Sequence, residues 1–271
     1  MLSKMKGLIF ENMTVRQTIA KNVFWLSFGQ MGSRFIKAAI TIYAARVLGV
    51  SGYGILSYVL GLTGFFVIFA AIGISSILTR EVAKNPQDES RYFSTAAVIK
   101  IALLLFTATL IIFVAPYFSK IEEAKALIPL VALLVIFDGL RDLSVAFFRS
   151  KEKMELEAII VTVVNVLIAL FGFTTLYFWV TYKSLLVSYI AASFFGFLIA
   201  AYFLKEKWLK IRSNFTKQLI IPMAKSAWPL AASGLVGDFL FNVEIAMLGW
   251  WRTGSEIGLY SAAQKVVGLL Y

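Results

Sequence analysis

The sequence predicts an all-α polytopic membrane protein, and its hydropathy, its block structure and its charge asymmetry all point there. Of its 271 residues 60% are hydrophobic, the mean hydropathy is +0.82, and only 15% are charged. Soluble domains carry about 25% charged residues, so water does not solvate most of this surface. The apolar residues come in runs nearly free of charge, among them 101–114, 158–180 and 185–204. A helix needs about 20 apolar residues to cross the hydrocarbon core of a bilayer. One such run would suit a buried core helix; seven in series do not. The runs lack a period of two, which disfavours a β-barrel.

The spans follow in order from the punctuation between runs. Span one, near 22–46, starts after Lys21 and stops at Arg46. Span two, near 54–78, follows Gly49-Val50-Ser51-Gly52-Tyr53-Gly54, read as a tight extracellular turn, and ends before Arg80. Span three, near 94–114, begins past Arg91 and gives way to Pro116. Span four, near 126–148, lies between Lys125 and Arg149. Spans five and six, near 158–180 and 184–204, meet at Lys183. A basic connection over 205–225 leads to span seven, near 226–250, and an eighth begins near 257.

Lysine and arginine set the orientation, because cytoplasmic segments hold an excess of them. With the N-terminus inside, the inner segments hold Lys4, Lys6, Arg16, Lys21, Arg80, Lys84, Arg91, Arg149, Lys151, Lys153, Lys205, Lys207, Lys210, Arg212, Lys217 and Lys225. The outer ones hold Arg46, Lys120, Lys125, Lys183 and Arg252, so the ratio is sixteen to five. The glycosylation matches at Asn12 and Asn214 then face the cytoplasm and carry no meaning. The first apolar run is too long for a cleavable signal peptide and lacks a small-residue cleavage site. Residues 2–20 and 206–224 mix basic with apolar residues and suit short helices on an anionic membrane surface, or plain linkers.

A shift of 204 residues aligns the start of the chain with its end. Ala20-Lys21 falls on Ala224-Lys225, Leu26 on Leu230, Phe35 on Phe239, and Ser51, Gly54, Ser57 and Gly64 on Ser255, Gly258, Ser261 and Gly268. Six spans is an even number, so both copies run in the same sense, as a parallel repeat. The expected organisation is a cytoplasmic or interfacial N-terminus over 1–20 and a six-helix transmembrane bundle over 21–204. An interfacial linker over 205–225 follows, then a truncated start of the second bundle, about one and a half helices, over 226–271. Most of that second bundle is missing from the sequence.

Ionisable residues inside spans are costly and mark interiors or aqueous cavities. Ser27, Gln30, Arg34, Lys37 and Thr41 follow one another at steps of 3, 4, 3 and 4, one stripe on one helix face. Two cations without an acid on the stripe call for water or an anion, though snorkelling or a partner on another helix is the plainer alternative. Asp138, Arg141 and Asp142 form a local ion cluster in span four. Lys100 in span three and Asn165 in span five are further candidates for cavity lining. The first six spans hold Arg34, Lys37, Lys100 and Arg141 against Asp138 and Asp142, four minus two, a surplus of +2 that suits an anionic substrate. In span seven Asp238 takes the register of Arg34, and Glu244 follows.

Histidine and cysteine are absent, which removes thiol nucleophiles, histidine bases, disulfides and most transition-metal sites. No cofactor and no metal is expected. A net charge of +11 reads as inner-loop charge rather than nucleic-acid binding. No phosphate-cradling loop is present, and Arg141 between Asp138 and Asp142 holds both ionised, so no enzyme motif emerges.

The segment Ala45-Arg-Val-Leu-Gly-Val-Ser-Gly-Tyr-Gly-Ile-Leu-Ser-Tyr58 resembles a signature of polysaccharide-biosynthesis flippases, the oligosaccharide-lipid branch of the multidrug/oligosaccharidyl-lipid/polysaccharide exporter superfamily. Ala71-Ile-Gly-Ile-Ser-Ser-Ile-Leu-Thr-Arg-Glu-Val-Ala83 looks like that family's end of span two, and Ile257-Gly-Leu-Tyr-Ser-Ala-Ala263 like its counterpart in the second half. The resemblance implies two bundles around a central cavity in a prokaryotic plasma membrane. It implies transport of a polyprenyl-pyrophosphate-linked oligosaccharide from the inner to the outer leaflet by alternating access. Arg34, Lys37, Gln30, Lys100 and Asn165 are then the expected substrate-binding residues, with Asp138, Arg141 and Asp142 structural. The partners are the lipid-linked sugar, membrane lipids and the missing C-terminal half. The rival readings are a cation-coupled multidrug exporter, which would want acids in the cavity, and a non-transporting membrane scaffold. A membrane glycosyltransferase would need a carboxylate set on a sizeable polar loop.

Overall fold

The computed structural model describes residues 15–268, and helices account for nearly all of them. Most of the expected N-terminal segment and the side chain of Asp238 lie outside the described residues.

Helix α1 (Val15–Ala71) carries both of the first two expected spans. Its non-helical residue is Gly49, at φ 68° and ψ 176°, where the lack of a Cβ removes the steric penalty. The turn expected over 49–54 is thereby corrected: Gly49 alone makes the bend, and Val50 to Gly54 belong to the second helical arm. Helix α2 (Ile74–Lys84) extends that arm beyond a further break, where Gly73 takes φ 64°. Span two therefore reaches Lys84 as a broken rod and does not stop near 78.

Helices α3 (Glu89–Phe113), α4 (Glu122–Ser150), α5 (Met154–Phe178) and α6 (Tyr182–Phe203) follow. The connection expected over 79–93 shrinks to a 3-10 turn at Pro86–Asp88. The one expected over 149–157 shrinks to residues 151–153, with Glu152 at φ 57°. The linker folds into two helical turns, α7 (Lys205–Leu209) and α8 (Ile211–Asn214). Helix α9 (Ile220–Trp251) starts before the expected 226, and α10 (Gly254–Gly268) follows it.

Among the described residues four stretches are long and apolar enough to cross a membrane: 17–84, 86–113, 154–178 and 182–203. The first has 68 residues, room for two crossings at about 1.5 Å per residue. Helix α4 has the length, at 29 residues, but Asp138, Arg141 and Asp142 interrupt its apolar run. Leu105, Phe106 and Phe113 on α3, Leu170 on α5 and Phe195 on α6 are all exposed. Such side chains need a lipid environment, and the chain is a polytopic α-helical membrane protein.

Small residues bring the helices together, as they do where lipid removes any hydrophobic drive between them. The first arm of α1 lies on α5, where a Cβ on Gly29 would stand 3.0 Å from that of Ala158 and one on Gly172 2.9 Å from Ile40 Cδ1. Tyr43 and Phe173 close the same seam with ring centroids 4.9 Å apart. Two apolar clusters form the core. One gathers the second arm of α1 with α3, α4 and α6 around Tyr58, Leu62, Ile111 and Leu127. The other gathers α2 with the opposite ends of α3 and α4 around Ile77, Leu78, Phe93 and Leu143, and α9 joins it through Met223 and Ala227.

Candidate functional site

The first arm of α1 turns Ile40 and Ala44 into the bundle, each 1% exposed. Its polar stripe lies elsewhere on the circumference: Ser27, Gln30, Arg34 and Lys37 are exposed and Thr41 is partly so. Phe24, Phe28, Met31 and Phe35 form a second exposed face beside it. The helix thus shows a packed side, a cationic side and an apolar side. Among the described residues no carboxylate is in ion-pair contact with Arg34. A guanidinium presents its N–H donors as a planar fork that can engage two oxygens of a carboxylate or a phosphate at once.

Lys100 and Asn165 are not on that face. Lys100 is 4% exposed. Its ammonium donates to the Ala70 carbonyl at 3.0 Å and lies 3.5 Å from Asp142 Oδ2. The same carboxylate oxygen accepts from Ser75 Oγ at 2.6 Å. The four groups form a ring across the break at Gly73: Ala70 precedes the break, Ser75 follows it, and Lys100 and Asp142 link the two. A helix end leaves carbonyls without intrahelical partners, and Lys100 satisfies one of them. Asn165, 3% exposed, donates from Nδ2 to the Val161 carbonyl of its own helix at 2.7 Å. Its Oδ1 is buried with no partner among the described residues.

The span-four trio divides between two neighbourhoods. Arg141 stands 2.9 Å from Asp138, one helical turn away, and Asp138 also accepts from Ser193 Oγ on α6 at 2.7 Å. The Arg141 stem passes over Gly196, where a Cβ would come within 3.3 Å of its Cδ. Asp142 serves the Lys100 ring instead. The two half-exposed acids therefore each meet a cation and a hydroxyl.

Three features carry no signal in the sequence. Lys21, 5% exposed, pairs at 3.3 Å with Glu155 in the first turn of α5. Arg149 donates from Nε to the buried Glu157 at 2.6 Å, and its Nη2 engages the other oxygen, the bidentate fork of the strongest ion pairs. Glu89 receives both Lys151 and Lys207, while Trp208 lies edge-on to Phe93 and Phe197 at 5.5 Å each. The linker is thereby docked onto the bundle.

A family model described as polysaccharide biosynthesis protein matches residues 19–270. No curated protein and no solved structure matches the chain. The matched residues take in the exposed stripe, the Lys100 ring and both glycine breaks of span two. This multi-pass helical membrane protein belongs to the polysaccharide biosynthesis protein family.

Proposed function

We propose that this chain moves a polyprenyl-pyrophosphate-linked oligosaccharide from the inner to the outer leaflet of a prokaryotic plasma membrane by alternating access, its N-terminus inside. The observation that carries the reading is the exposed stripe of Gln30, Arg34 and Lys37 on the first arm of α1. Arg34 and Lys37 both lie on this arm, and the stripe itself holds no acid. Lys100 stands with Asp142 and Arg141 with Asp138, and no carboxylate among the described residues is in ion-pair contact with Arg34. A pyrophosphate would meet that guanidinium, and Arg34 offers it a bidentate fork. The family match supports an export role, and the sixteen-to-five distribution of basic residues supports the orientation. A cation-coupled exporter is the weaker reading, since Asp138 and Asp142 are already engaged and the stripe holds no acid. Lys100 and Asn165 act in this scheme as buried supports behind the cavity wall.

The test measures export of the lipid-linked sugar together with membrane abundance in the full chain. Arg34→Ala and Lys37→Ala should each lower export at least tenfold with abundance near normal. Normal export by both variants would make the stripe a bystander. Loss of both proteins from the membrane would make its cations structural.

A further inference from the structure

The break between α1 and α2 is built like a cation site, and the cation in it belongs to the chain. Gly73 takes φ 64° there, and Ile74, four residues past Ala70, opens the next helix. The Ala70 carbonyl is thereby left without its intrahelical partner. It accepts from the Lys100 ammonium at 3.0 Å. Asp142 Oδ2 lies 3.5 Å from the same ammonium and accepts from Ser75 Oγ at 2.6 Å. A freed carbonyl, a carboxylate and a hydroxyl oxygen thus meet where a membrane helix is interrupted. Carriers with discontinuous helices hold monovalent ions on unwound carbonyls of this kind. Lys100 reaches the break from α3 and is 4% exposed, so its ammonium fills the inner side. The Asp142 side chain is 46% exposed, and among the described residues no hydrogen bond reaches its Oδ1. The carboxylate therefore keeps an accessible side.

We infer that the Gly73 break is a monovalent-cation site whose resident cation is the Lys100 ammonium. An ammonium is a compact charge with donors and no acceptor, close to potassium in radius, so a free ion of that class can stand where it stands. The charge agrees with one such ion. Asp142 is balanced by Lys100, and without the lysine a single positive charge restores the balance. A divalent ion would leave an uncompensated charge inside the membrane, which is costly. An ion pair alone would need neither the break nor the carbonyl. Here the oxygens of three different groups converge at the break, and the cation rather than a second side-chain pair is what they share. On the transport reading proposed above, the first bundle carries its cation covalently. A site that is always filled takes up no ion from solution, so export draws on no cation gradient here.

The test empties the site in the full chain and asks whether a free ion refills it. Wild type and Lys100→Ala are purified in detergent, and thermal unfolding is followed as choline chloride is exchanged for potassium or methylammonium chloride at constant ionic strength. Lys100→Ala should lose thermal midpoint in choline. Potassium or methylammonium should restore at least half of that loss with a saturating response, because an ion that binds only the folded state stabilises it by mass action. The wild-type midpoint should not move through the same exchange. Adding Asp142→Asn to Lys100→Ala should abolish the response. A Lys100→Ala midpoint that is the same in all three salts would overturn the site, and so would a response that survives Asp142→Asn. Lys100→Ser repeats the measurement if Lys100→Ala does not accumulate. Accumulation of neither variant would also overturn it, since a cation site would fill from the potassium of the cell. In vesicles, export by Lys100→Ala should rise at least threefold when potassium replaces choline. If potassium restores the fold while wild type itself exports no lipid-linked sugar, the transport reading falls and the cation site stands.

Discussion

Lys100 and Asp142 stand 3.5 Å apart across α3 and α4 and together hold the two sides of the Gly73 break, through the Ala70 carbonyl and the Ser75 hydroxyl. The Lys100 side chain is 5% exposed and that of Asp142 46%, so the costs of removing them differ. Asp142→Asn removes the charge that faces a buried ammonium, at a cost of about 3 kcal/mol. Lys100→Met leaves a half-solvated carboxylate and one unpaired carbonyl, at a cost of about 1–3 kcal/mol. Thermal unfolding in detergent should rank Asp142→Asn below Lys100→Met, with the double variant less destabilised than the sum of the two. Additive losses would show that the ring does not act as a unit.

Helical class and the order of the apolar runs were visible in the sequence because a lipid-exposed helix is a local property of about 20 apolar residues, whereas the helices continue past the charges that end those runs, as span two does to Lys84. The stripe from Ser27 to Thr41 was visible for the same reason, since its period belongs to one helix. The turn over 49–54 was misread because glycine marks a turn and a close helix crossing with the same letter. Gly49 serves the first purpose, and Gly54, where a Cβ would fall on the carbonyl oxygen of Gly254, the second. The ring at Gly73 joins residues 42 and 67 positions apart, and the Lys21–Glu155 pair is longer still. Such pairings leave no periodic trace, so Lys100 reads from its own span like any other in-span cation.

Docking of the linker should depend on Trp208 far more than on Glu89. The Glu89 pairs with Lys151 and Lys207 are partly exposed, and pairs of that kind contribute about 0.2–1 kcal/mol. Trp208 packs between two phenylalanines, and cutting such a side chain back to alanine costs about 3–5 kcal/mol. Limited proteolysis of inside-out membranes should therefore show faster cleavage within 205–216 in Trp208→Ala than in Glu89→Gln. Equal rates would mean that charge, and not the ring cluster, holds the linker.

The orientation can be checked with single cysteines at Asn85, Lys153 and Asn214. Lys153 is chosen over its neighbour because Glu152 sits at φ 57°, where a non-glycine residue is already in an uncommon conformation. All three cysteines should resist an impermeant thiol reagent in intact cells and react after permeabilisation. Labelling of any one in intact cells would contradict the basic-residue asymmetry.

Arg34 and Lys37 should differ in what they tolerate. A planar guanidinium can hold two oxygens of a phosphate at once, whereas an ammonium acts as a compact point charge. Arg34→Lys keeps the charge and the helix but loses the fork. If Arg34 grips the pyrophosphate in two-point fashion, Arg34→Lys should export at roughly a tenth of the wild-type rate, the effect of losing about 1.4 kcal/mol from one charge-assisted hydrogen bond. Lys37→Arg should stay within about threefold of wild type, because a point charge can be replaced by a fork on an exposed face. The measurement is initial export rate against substrate concentration, with abundance held equal. An Arg34→Lys variant that exports normally while Arg34→Ala fails would reduce the role of Arg34 to charge alone. Equal sensitivity of both sites to the conservative exchange would instead make the spacing of the two cations, rather than the chemistry of either, the feature that the substrate reads.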